Sequence, residues 1–197
     1  MSTIKSIDTQ KLVLLALFTA IVIILQALAA LLPVYPFTLT LVLIPMVVGA
    51  ALIGTFAGAW LGFVFGTVVL ISGNANLFLV INPAATIFLV LLKGILAGAA
   101  AGVIYNLIAE KRKMIAVICA AIICPVVNTG IFIIGCYIFF LPTIIQWGEA
   151  AGFSNATAFI FIGMIGFNFI FELGVNLVLS PTIVRLIKYR QEKINPE

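Results

Sequence analysis

The sequence predicts an all-α integral membrane protein of six transmembrane helices with both termini cytoplasmic, and three observations carry that prediction. The composition is 64% hydrophobic and 8% charged over 197 residues, with a mean hydropathy of +1.35, far outside the range of soluble globular chains. No Asp, Glu, Lys or Arg occurs between Lys11 and Lys93. Nine of the ten basic residues fall in three short groups: Lys5 with Lys11, Lys111 to Lys113, and Arg185 with Lys188, Arg190 and Lys193.

A spanning helix needs about 20 mostly apolar residues, so the charge-free run must be divided by turns. "LLPVYPF" makes the first division: Pro33 and Pro36 bracket interfacial aromatics and end a first helix over 12–32. "GAALIGTFAG" makes the second, with a tight turn expected near Gly54 between short helices over 38–54 and 55–72. "SGNANLFLVINP" reads as a loop rich in turn residues, with a middle apolar enough to lie against the membrane or fold over a site. A fourth helix covers 83–108 and stops at "EKRK", and a fifth covers 114–140. "LPTIIQWGEAAGFSN" is expected to be a second polar loop, and a sixth helix covers 158–186 before "KYRQEKINPE". The whole chain reads as one membrane domain, its first apolar run a permanent helix rather than a cleaved leader.

An even helix count places all three basic groups on one side, the cytoplasmic one by the positive-inside rule. Five or seven helices would scatter them. The net charge of +4 therefore reports topology and contact with anionic lipid rather than nucleic-acid binding.

Gly54, Gly58, Gly62 and Gly66 recur every fourth residue, as do Gly94, Gly98 and Gly102. Such seams let helix backbones approach closely in lipid, and ordinary packing within the chain accounts for both. Ala16 and Ala20, in "ALFTA", form a weaker seam in the first helix. Cys119, Cys124 and Cys136 read as small apolar residues, since the chain has no His and no CxxC pair.

A charge near the bilayer centre costs at least about 2.5–3.5 kcal/mol, so each one needs a reason. Lys93 lies ten residues past Pro83, about 15 Å below that helix end at ~1.5 Å per residue. Asn82, Thr86 and Lys93 are expected on one face. Asn168, Glu172, Asn176 and Ser180 repeat every fourth residue in the sixth helix, and Asn128 adds an amide to the fifth. Two readings stand side by side. Lys93 and Glu172 form a buried pair that ties two helices together, or these polar groups line an outward-facing ligand cavity in which Lys93 meets an anionic group. Trp60, Trp147, Tyr35 and Phe78 are candidates for its apolar wall or lid, or for interfacial anchors.

No GxxxxGK[ST], HExxH or GxSxG motif is present, so the chain reads as a binding component without an enzymatic site, cofactor or metal. A stand-alone secondary transporter is expected to show repeated halves with broken helices, and no such repeat stands out. A purely structural membrane subunit is the third class, and the polar constellation of Lys93, Asn128 and Glu172 argues against it.

In order and spacing, "ALFTA", "LVLIPMVVGAALIGTFAGAWLGFVFG", "INPAATIFLVLLKG" and "FNFIFELGVNLVLSPTIVRL" make the chain resemble the substrate-binding S component of energy-coupling factor (ECF) vitamin transporters over nearly its whole length. The resemblance implies a multi-pass protein of a prokaryotic cell membrane, working with a transmembrane T subunit and two ATPase subunits that supply ATP hydrolysis. It implies that Ala16 and Ala20 are the face on which the T subunit docks. It also implies capture of a vitamin from outside, then toppling in the membrane to release it inside. The "INPAATIFLVLLKG" stretch resembles the pantothenate-type group, and one intramembrane lysine suits a single carboxylate. Riboflavin, folate or a cobalamin-type compound are the alternatives, although no second intramembrane cation is present for a di-anion such as folate.

Overall fold

The structure, a computed structural model, describes residues 9–31 and 41–194. Lys5, Pro33, Tyr35, Pro36 and the side chains of Ser180, Lys188, Arg190 and Lys193 lie outside the described residues. The helices are α1 (Thr9–Leu31), α2 (Leu43–Ile53), α3 (Thr55–Ile71), α4 (Asn76–Leu79), α5 (Pro83–Ala109), α6 (Lys113–Phe139), α7 (Leu141–Ala150) and α8 (Ala156–Ala158). A π-helical segment, Phe159–Gly166, follows α8 and runs into α9 (Phe167–Ile194).

Among the described residues four stretches are long and apolar enough to cross a membrane: Thr9–Leu31, Pro83–Ala109, Lys113–Phe139 and Ala156–Leu179. Leu43–Ile53 and Thr55–Ile71 are apolar but shorter. At ~1.5 Å per residue α2, 11 residues long, rises only about 16 Å. It is nonetheless the centre of the bundle, with Leu43 and Pro45 through Ala50 all buried and α1, α3, α5, α6 and α9 packed around it.

α2 and α3 are joined by one residue. Gly54 has φ 130° and ψ 176°, a conformation open in practice only to glycine, so the chain folds back into a tight hairpin. α3 then packs antiparallel on α5 along the two glycine rows. A Cβ at Gly58 would strike the carbonyl of Gly98, one at Gly62 the carbonyl of Gly94, and one at Gly66 would sit 2.9 Å from the carbonyl of Val90. The two rows face each other within one chain, and their close approach is what fixes α5 in the bundle.

α5 begins where local chemistry starts a helix. Asn82 is extended (φ −148°, ψ 92°), its Oδ1 accepts from the Ala85 N–H at 3.1 Å, and Pro83 stands in the first turn.

The expected polar loop over 141–155 is corrected: its first part is a helix, α7. Pro142 and Gly148 looked like turn residues, but Pro142 sits in the first turn, where its missing N–H costs nothing. Gly148 is buried, and a Cβ there would lie 3.1 Å from the Cβ of Phe159. The stop comes later. Gly152 (φ 80°) ends the helix with the Phe153 N–H bonded to the Gly148 carbonyl at 2.8 Å and its own N–H to Glu149 at 3.0 Å, the double bond of a Schellman cap. The last helical stretch also differs from expectation, since it starts at Ala156 and, after the three residues of α8, runs through eight π-helical residues.

Candidate functional site

Two apolar cores meet at one end of the bundle. The larger joins α1, α2, α3, α5 and α6. The smaller holds Phe78, Leu89, Cys136, Phe140, Ile144, Ile160 and Met164. Between them lies a cavity of about 350 Å³.

The walls are the C-terminal parts of α1, α3 and α6, the N-terminal part of α5, and the π segment with the start of α9. Lys111 to Lys113 stand at the opposite end of α5 and α6, about 27 Å along the helix from Lys93 at ~1.5 Å per residue. The cavity is therefore remote from the basic turn.

Lys93, on α5, is half-buried in the cavity wall. Its Nζ lies 5.2 Å from the centroid of Phe132 and 5.9 Å from that of Phe65, so the cation faces two aromatic rings. Glu172 of α9 is buried, lines the same cavity, and lies within electrostatic reach of Lys93. Thr86 is one of the polar groups, its hydroxyl donating to the Asn82 carbonyl at 2.8 Å. Asn128 and Asn168 complete the predicted set on this wall.

Phe78 lines the cavity. Although α4 is a single turn, the Phe78 ring packs edge-on against Phe132, Phe140 and Trp147 at centroid distances of 5.6, 4.9 and 5.6 Å. These contacts join the loop after α3 to α6 and α7.

Three residues expected at the site are elsewhere. Asn82 is exposed and caps α5. Asn176 is buried one turn beyond Glu172, with its amide donating to the Glu172 carbonyl at 2.8 Å. Trp60 is partly exposed on α3 and donates from Nε1 to Thr19 of α1 at 3.1 Å, which makes it a strut between helices. In the opposite sense, Gln26, Asn74, Thr129, Phe65 and Phe132 line the cavity without having been singled out. For Gln26 the signal was present, an amide deep in an apolar run.

Ala16 and Ala20 are exposed along α1, on a helix whose buried residues are Val22 and Gln26.

A family model for the substrate-specific component of ECF transporters matches residues 10–184. The chain belongs to that family. No curated protein and no solved structure gives a significant match. An ECF substrate-specific component is a membrane transport subunit without catalysis of its own. Among the described residues no group of three or more His, Cys, Asp or Glu is placed to hold a metal ion.

Proposed function

We propose that this ECF substrate-specific component captures a small vitamin carrying one carboxylate, pantothenate first among the candidates, from outside the cell. The observation that carries the reading is Lys93: a cation set between Phe65 and Phe132 in the wall of the cavity. Its ammonium is the group that would meet the carboxylate, with Thr86, Asn128, Asn168 and Glu172 around it and Phe78 as the roof. Asn82, Asn176 and Trp60 support this site rather than touch the ligand.

The volume supports a small ligand. About 350 Å³ lies near the lower end of the ~300–1,000 Å³ usual for ligand sites, and a cobalamin-type compound is far too large for it. The mouth belongs outside. With α2 and α3 completing six spans and both termini cytoplasmic, Lys11, Lys111 to Lys113 and Arg185 share the inner side and the cavity opens opposite them. Ala16 and Ala20 then present the small-residue face to a T subunit, driven by two ATPase subunits, and docking there delivers the vitamin inward.

The test is binding of a panel of labelled B vitamins to the purified chain in detergent, without partners, read by calorimetry. One member is expected to bind at nanomolar scale, and binding by none of them would remove vitamin capture as the function.

A further inference from the structure

The buried residues of α1 are Val22 and Gln26. A helix that seats so little of itself against its neighbours is expected to bury aliphatic side chains there. Beside Val22 it buries a primary amide. Gln26 is 1% exposed, it lines the cavity, and its Oε1 has no hydrogen-bond partner among the described residues.

Asn128 of α6 repeats the pattern on the same cavity: it is 5% exposed, and its Oδ1 also lacks a partner among the described residues. An amide oxygen left unbonded in the interior is destabilising, and such groups are rare without a cause. Packing does not supply one, because leucine or methionine would fill either position without that penalty. Two helices far apart in sequence have each placed a buried amide oxygen, without a partner among the described residues, on the same cavity.

We infer that Gln26 and Asn128 form a neutral subsite that recognises hydroxyl groups of the ligand, and that Gln26 determines specificity for them. This rests on the ligand-capture reading above. A hydroxyl both donates and accepts, so it satisfies an amide in either rotation of its O and N atoms. A methyl group in the same place leaves the amides unsatisfied. Together with Lys93 the subsite defines a substrate class, a small hydroxylated carboxylic acid. Sites built around a substrate hydroxyl reject analogues that lack it, whereas an apolar pocket discriminates weakly.

The experiment compares pantothenate with its analogue lacking the hydroxyl groups, by calorimetry on the full chain in detergent, for the wild type and for Gln26→Met, with the rest of the vitamin panel alongside. Methionine fills the amide's volume without a polar end. The wild type is expected to prefer pantothenate at least about tenfold. Gln26→Met is expected to bind the two compounds about equally, and without ligand to unfold at or above the wild-type temperature. Equal wild-type affinities, or tight binding only of a vitamin without hydroxyls, would overturn the subsite and leave ligand capture standing. A lower ligand-free unfolding temperature in Gln26→Met would mark the amide as structural and also overturn it. Binding of nothing on the panel would overturn capture and the subsite together. If Gln26→Met does not fold, the two wild-type affinities decide.

Discussion

Lys93 is the one basic residue outside the three basic groups, and its surroundings moderate its cost without abolishing it. Two aromatic faces at 5.2 and 5.9 Å return roughly 0.5–2 kcal/mol of an insertion cost of at least about 2.5–3.5 kcal/mol. Glu172 draws on the same charge. On the proposed reading the ligand meets a pre-oriented cation. Lys93→Met is expected to weaken binding of a carboxylate vitamin by about ten- to a hundredfold, the worth of a charge-assisted hydrogen bond at roughly 1.5–3 kcal/mol, and to change a neutral ligand's affinity far less. Calorimetry on the two classes checks this, and identical affinity for the carboxylate would leave Lys93 as a strut between α5 and α9. At this scale the polar groups that interrupt apolar runs, Thr86, Lys93, Asn128 and Glu172, all line the cavity. Periodicity alone misled at Asn82, which spends its side chain on a helix cap, and at Asn176, which turns back onto its own helix.

Among the elements, the α3–α5 seam shows what the glycine rows are for. Gly62 and Gly94 face each other so closely that a Cβ on either would overlap the other's carbonyl, and neither backbone can yield without moving its helix. Gly62→Ala is therefore expected to destabilise the fold by about 1–3 kcal/mol, the usual range for overpacking. Gly130→Ala in α6, where a Cβ would meet nothing within 4 Å, serves as the control and should be neutral or gain up to about 1 kcal/mol of helix propensity. Thermal unfolding in detergent separates the two variants. The rows were legible because their four-residue spacing has one physical use in lipid. α7 was not legible, because Pro and Gly are punctuation only where the backbone must break. Here Pro142 opens a helix and Gly148 makes room for Phe159. The π segment carries no signal of its own in an unbroken apolar sequence, although its glycines fit the crowding it creates: a Cβ at Gly163 would lie 2.8 Å from the Phe159 ring.

For the whole molecule, α1 is the place where the proposed binding and docking roles meet. Gln26 turns into the cavity while Ala16 and Ala20 face outward from the same helix. Thr19, between the two alanines, accepts from Trp60 of α3, so the helix is pinned at the level of its small residues and its outer face is left clear. A partner helix can approach alanines more closely than leucines, and in lipid that closeness is a main source of association energy. Ala16→Trp or Ala20→Trp should therefore abolish vitamin uptake in cells carrying the ATPase module, while vitamin affinity of the purified chain stays within about twofold, since surface substitutions away from a site rarely shift stability by more than about 0.5 kcal/mol. Uptake and affinity measured on the same variants give the answer. Loss of both in parallel would mean that α1 deforms the cavity when its face is altered, and unchanged uptake would move the docking face to another surface of the bundle.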